Sequence, residues 1–216
     1  MYKYILFDLD GTIADSGEGI INGVIYALDK FGITETNNEV LNNFIGPPLV
    51  DAFMKNYSFS KEQALEAVRL YREFYPREGI YQNSLYGGID KTIKTLKEMG
   101  KTLVLATSKP LPFAEIILKQ YDLLKYFDFI IGATFDGKLN YKTDVIRVAL
   151  QQSGIADKSE AIMIGDRHHD IEGAKDNDLD SIGVLYGYGD LLELKKAGAN
   201  FIAESPKDIL KIINEN

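Results

Sequence analysis

Apolar residues along this chain fall into two rhythms. Short runs at Tyr4–Phe7, Thr102–Thr107, Phe127–Ile131, Ala161–Gly165 and Ser181–Leu185 are each bounded by Gly, Asp, Ser or Thr. A brief apolar stretch stopped in this way reads as a buried strand running into a turn. Between the later runs the spacing becomes helical: Ile89, Ile93, Leu96 and Met99; Phe113, Ile116, Ile117 and Gln120; Val145, Ile146, Ala149 and Leu150. Strands alternating with helices predict a parallel, doubly wound α/β sheet of Rossmann-like type, covered by helices on both faces.

The stretch from Ser16 to Tyr86 keeps only the helical rhythm. Ile20, Val24, Leu28 and Phe31 share one face, as do Leu65, Val68, Tyr71 and Tyr75. Val40–Phe44 and Leu49–Tyr57 read as shorter helices separated by Gly46-Pro47-Pro48, a sequence that breaks a helix. The predicted organisation is therefore an α/β core domain made of residues 1–15 and 87–216, interrupted by an all-helical cap domain at 16–86, with hinges near Ser16-Gly17 and Gly87-Gly88.

Composition narrows the class. Of 216 residues 45% are hydrophobic, enough for a substantial buried core. The chain has no cysteine, so disulfides, thiolate metal sites and cysteine nucleophiles are excluded, and a cytoplasmic location fits. Its start, Met1-Tyr2-Lys3-Tyr4-Ile5-Leu6-Phe7-Asp8, meets an acid before a secretory apolar region can develop, and no run approaches a membrane span. A soluble, unprocessed chain with no membrane partner is expected. The net charge of −8, without a basic block, disfavours nucleic acid as a partner.

Candidate chemistry gathers where the strands end, which is where open parallel sheets bind ligands. Asp8 and Asp10 follow the first run, Thr107 and Ser108 the second, and Asp166 and Asp170 a later one; Lys142 lies in the polar stretch after the third. If they converge, four carboxylates carry about −4 against about +1 from Lys142, a cluster in which like-charge repulsion forces some acids to hold protons unless something balances it. A Mg²⁺ ion, which takes oxygen ligands, would do so. Zinc suits the chain less, since its only histidines are the adjacent His168 and His169. Such a site could hold a small phosphate ester. An ionised Asp8 is a competent nucleophile and Asp10 a nearby acid/base, while Gly11 permits the close backbone approach that a phosphate needs.

Asp8-Leu9-Asp10-Gly11-Thr12, Thr107, Lys142 and Gly165-Asp166-Arg167-His168-His169-Asp170 resemble, in order and spacing, the four motifs of the haloacid dehalogenase superfamily of phosphatases. The helical insert, with Ala14-Asp15-Ser16, Ile45-Gly46-Pro47-Pro48-Leu49 and Ser108-Lys109-Pro110, is similar to its phosphoglycolate-phosphatase-like and 5'-nucleotidase-like branch. The resemblance implies a Mg²⁺-dependent phosphatase acting through an aspartyl-phosphate on Asp8. It makes Asp8, the Asp10 carbonyl and Asp166 metal ligands, with Asp170 behind them. Thr107 and the Ser108 backbone would hold phosphoryl oxygens, and Lys142 would balance charge at the nucleophile. An aspartate at position 10 speaks for hydrolysis, because the dehalogenases of the superfamily lack it. The stretch Asn140-Tyr141-Lys142-Thr143 departs from the pattern in lacking a proline after the lysine.

Taken singly, the same residues have plainer roles. Asp8 and Asp10 suit a turn before glycine, Asp166 and Asp170 a helix N-terminus, and His168 and His169 a solvated loop. Tyr186-Gly187-Tyr188-Gly189 reads equally as a plain loop or a border of the site. Phosphoglycolate is the substrate that the resemblance suggests first. Nucleoside monophosphates, pyrophosphate and a β-phosphoglucomutase-like transfer stay open. A phospho-accepting receiver module uses similar groups but places its aspartate after a middle strand and has no helical insert.

Overall fold

The computed structural model describes all residues, 1–216, and divides them into two compact units, Met1–Ala14 with Leu85–Asn216, and Asp15–Ser84. The first unit is a six-stranded sheet in the order β5-β4-β1-β6-β7-β8, parallel at every pairing. Its strands are β1 (Tyr4–Phe7), β4 (Thr102–Pro110), β5 (Phe129–Ala133), β6 (Ala161–Gly165), β7 (Asp180–Val184) and β8 (Phe201–Ala203). β1 lies between β4 and β6, with Ile5 opposite Leu103 and Ile162. Ile5, Leu6 and Phe7 are fully buried. A central parallel strand is covered on both faces, so its apolar run is unbroken rather than alternating.

Helices α5 (Ile89–Glu98), α6 (Leu111–Gln120), α7 (Lys142–Gln152), α8 (His168–Asp176), α9 (Leu191–Ala197) and α10 (Pro206–Glu215) cover this sheet. In α7 the predicted face, Val145, Ile146, Ala149 and Leu150, is buried against Val104, Ala106, Ile131 and Met163. In α6 the buried face is instead Phe113, Ala114, Ile117 and Leu118, while Ile116 is exposed. Two strands run past their predicted limits: β4 continues to Pro110, and β5 sits two residues later than the apolar run. Between Thr107 and Pro110 the β4–β5 register shifts, and such irregularities re-aim side chains at a sheet's rim. β8 is too short to produce a periodic signal and was not predicted.

The second unit is helical: α1 (Gly17–Lys30), α2 (Asn38–Asn42), α3 (Leu49–Tyr57) and α4 (Lys61–Phe74). α1 turns Ile20, Val24 and Leu28 inward, and α4 buries Ala64, Ala67, Val68 and Tyr71 while Leu65 is half exposed, against its predicted place on the inner face. A capping box between Ser60 and Gln63 starts α4. Phe44 and Phe53 meet edge to face at 4.8 Å, and Phe53 stacks on Phe59. The chain passes between the units through two short strands, β2 (Ala14–Asp15) and β3 (Ser84–Leu85), which pair with one another. No helix is long and apolar enough to cross a membrane.

Candidate active site

The site is built at the carboxyl ends of β1, β4 and β6, three neighbours in the sheet. Asp8 follows β1 directly, its N–H donating to Ile164 O of β6 at 2.9 Å. The chain then turns tightly: the N–H groups of Ile13 and Ala14 both donate to Leu9 O. Gly11 holds φ +87°, and a Cβ there would lie 2.1 Å from Asp166 Oδ2. The absence of a side chain is thus what lets the first loop lie against the acid of the third. The Gly11 N–H donates to Ala14 O at 2.8 Å, so that donor is already used within the turn.

Asp166 follows β6 and is fully buried. Its Oδ2 accepts from Tyr188 N at 2.9 Å, and its Oδ1 takes a long hydrogen bond of 3.4 Å from Thr12 Oγ1. Asp170, in the first turn of α8, accepts from Arg167 N at 3.1 Å through Oδ2. Asp8, Asp166 and Asp170 each bring an oxygen within 4.8 Å of the others. Lys142, the first residue of α7, reaches in from the helix packed over these strands. Its Nζ lies 2.6 Å from Asp8 Oδ1 and 2.8 Å from Asp170 Oδ1, and donates to Ala106 O at 3.1 Å.

The electrostatics follow from burial. Desolvation pushes the Asp8 carboxyl up to about 6; Lys142 pulls it down, and Asp170 and Asp10 add to the rise. Asp166 is driven well above the ordinary carboxylate range by burial first and then by Asp170 and Asp8. Burial works against the charged form of Lys142, but Asp170 and Asp8 outweigh it and hold the ammonium charged. Asp8 Oδ1 and Asp170 Oδ1 are buried with no aligned hydrogen bond of their own. Buried carboxylate oxygens that Lys142 only partly satisfies, in an all-oxygen donor set, fit a hard divalent cation such as Mg²⁺.

Asp10 lies outside this trio but near enough to act on Asp8. Its side chain pairs with Lys109, whose Nζ lies 2.9 Å from Oδ1 and 3.0 Å from Oδ2. Thr107 is buried in β4 just before its register shifts, its Oγ1 accepting from Lys109 N at 3.2 Å, and the half-buried Ser108 follows it. Counting Lys109 changes the charge balance. Four aspartates face two lysines, which leaves a deficit of two charges, the charge of one divalent cation.

Three contributors stood in the sequence only inside longer stretches and were assigned no role of their own. Lys109 pairs with a partner 99 positions away, and nothing local marks it as buried. Tyr188 serves through its backbone N–H, which any residue carries. Gly187 is needed because a Cβ there would lie 2.3 Å from Gly11 O and 2.4 Å from Asp166 Cβ; the glycine pair in Tyr186-Gly187-Tyr188-Gly189 was the available signal. His168 and His169, read as loop residues, open α8 half-buried instead. His168 Nδ1 lies 2.7 Å from Glu193 Oε1, which also accepts from Arg167 Nε and His168 N, both at 2.9 Å.

The sequence matches the model of the haloacid dehalogenase-like hydrolases over residues 5–184. It is similar to a 5'-nucleotidase of Pseudomonas aeruginosa, 43% identical over 194 residues that cover 90% of this chain and 87% of the relative. It is also similar to the tyrosine-protein kinase PtkA of Mycobacterium tuberculosis, at 35% identity over 87% of this chain and 63% of that longer protein. Among solved structures, it is similar to that of a predicted phosphatase from Clostridium acetobutylicum, at 47% identity with both chains wholly covered and a TM-score of 0.97.

Proposed function

The chain belongs to the haloacid dehalogenase-like hydrolase family, and from that premise we propose that it is a Mg²⁺-dependent phosphatase of small phosphate monoesters working through an aspartyl-phosphate on Asp8. The observation that carries this reading is the buried meeting of Asp8, Asp166 and Asp170 around the ammonium of Lys142. Asp8 attacks phosphorus as the bond to the leaving oxygen breaks, and Asp10 gives that oxygen a proton. Asp10 then takes a proton from the water that attacks the phosphoryl group, and phosphate departs with Asp8 restored. The Thr107 hydroxyl and Ser108 backbone receive phosphoryl oxygens, and Lys142 keeps Asp8 ionised and aimed. Asp8, the Asp10 carbonyl and Asp166 would hold the metal, with Asp170 behind them. When bound, Mg²⁺ neutralises the carboxylates and the charge of the phosphoryl group.

Residues 16–86 serve in this reading as a cap domain to a core of 1–15 and 87–216, and a cysteine-free chain suits the cytoplasm. Nucleoside 5'-monophosphates are the first substrates to try, in view of the Pseudomonas relative, and phosphoglycolate the second. A panel of both, with para-nitrophenyl phosphate, tests the reading on purified protein with Mg²⁺. Many equivalents of phosphate per chain are expected, stopping on chelation and resuming when Mg²⁺ is restored. Release that persists under chelation contradicts the metal assignment. Labelling that halts near one equivalent contradicts hydrolysis, as does transfer to a protein tyrosine without phosphate release.

A further inference from the structure

Both oxygens of Asp10 are engaged by one buried cation. Lys109 Nζ lies 2.9 and 3.0 Å from them, with the lysine side chain 4% and the aspartate side chain 12% exposed. An aspartate at a strand end can ordinarily rotate about two side-chain bonds, and an ammonium drawn to both of its oxygens holds the carboxylate pointed in one direction. Lys109 lies in the stretch where the register of β4 against β5 shifts, between Thr107 and Pro110, and it is buried there. The same residue acts on its other neighbour through its backbone. Lys109 N–H donates to Thr107 Oγ1 at 3.2 Å, so that hydroxyl is already an acceptor and keeps its own hydrogen to donate elsewhere.

We propose that Lys109 is a positioning residue for the reaction, its ammonium orienting Asp10 for proton transfer and its N–H turning the Thr107 hydroxyl toward the phosphoryl group. The inference rests on the phosphatase reading and extends it: Lys142 serves the nucleophile, and Lys109 serves the group that handles the proton. In the first half-reaction the proton moves from the Asp10 carboxyl to the leaving oxygen as its bond to phosphorus breaks and the bond from Asp8 forms. That help matters most when the leaving oxygen is strongly basic and least when it departs as a stable anion.

Steady-state kinetics of Lys109→Met and Lys109→Arg on an alkyl phosphate and on 2,4-dinitrophenyl phosphate test this. The ratio kcat/KM reports the steps up to loss of the leaving group, in which Asp10 acts only as an acid. Lys109→Met should lose kcat/KM roughly 30-fold or more on the alkyl ester and only a few-fold on the dinitrophenyl ester, within the span general acid catalysis supplies. Lys109→Arg should recover most of the difference. Added to Asp10→Asn, Lys109→Met should cost little more on the alkyl ester, since the group it positions is gone. Equal losses on the two esters, or losses that multiply with those of Asp10→Asn, would overturn the proposal. Should Lys109→Met fail to fold, Lys109→Gln and Lys109→Arg carry the same comparison. A wild-type protein inactive on both esters would instead defeat the phosphatase reading, and this inference with it.

Discussion

Asp166 shows most plainly what this site costs the fold. It is fully buried, receives one backbone N–H and a long hydroxyl contact, and faces two other carboxylates, with neither lysine of the site in ion-pair contact with it. A buried charge in such company destabilises the folded state unless a cation joins it. Asp166→Asn keeps an acceptor for the Tyr188 N–H and removes the repulsion. In the absence of metal the variant should therefore be more stable than the wild type at neutral pH, by on the order of 1–2 kcal/mol. Mg²⁺ at about a hundred times its dissociation constant should stabilise the wild type by about 2.7 kcal/mol and leave the variant unmoved. Thermal unfolding of both proteins, with and without Mg²⁺, checks the pair of outcomes; equal stabilisation of wild type and variant by Mg²⁺ would contradict it.

Between α8 and α9 a carboxylate holds the loop that carries Asp166. Glu193 accepts from Arg167 Nε, His168 N and the His168 ring, closing the N-terminus of the helix on which Asp170 sits. Burial would raise its carboxyl, but the hydrogen bonds from His168 and Arg167 prevail and hold it down at about 2. A folded-state value below the ordinary 4.5 means that the unfolded chain binds the proton more readily. The stabilisation is therefore complete above about pH 4.5 and is lost as pH falls toward about 2. Glu193→Gln should lower stability at neutral pH by about 1–2 kcal/mol after allowance for solvent screening. Denaturant titrations at neutral pH and near pH 3.5 should show the gap shrinking as the solution becomes acid; a gap independent of pH would assign the effect to packing instead. Glu193 could not be recognised in advance, because its partners are distant in sequence and an acid early in a helix usually serves only that helix. The helices themselves were easier to read. α7 matches its predicted face because four apolar residues at helical spacing meet a sheet, whereas Ile116 and Leu65 follow the same spacing and are exposed, since periodicity fixes a stripe but not its width.

Across the chain, residues distant in sequence meet because β1 lies between β4 and β6, so that the loops after three separate strands open at one edge. This much was legible: acids and hydroxyls after apolar runs mark strand ends, and a parallel sheet sets those ends side by side. Less legible were contacts made by backbone groups and by Lys109, since a lysine usually lies at the surface and this one is buried against an acid distant in sequence. The overall charge of −8 says little about an anionic substrate; the local deficit of two charges among the four aspartates and two lysines says more. From that deficit comes the claim on which the rest depends, that a divalent cation gathered by these acids makes Asp8 able to take a phosphoryl group. The most direct measurement is acid quenching during turnover of a phosphate monoester with Mg²⁺, followed by peptide mass spectrometry. The account predicts a single phosphoryl group on Asp8, absent under chelation and absent in Asp8→Asn; sustained phosphate release with Asp8 never modified, or undiminished release by Asp8→Asn, would contradict it.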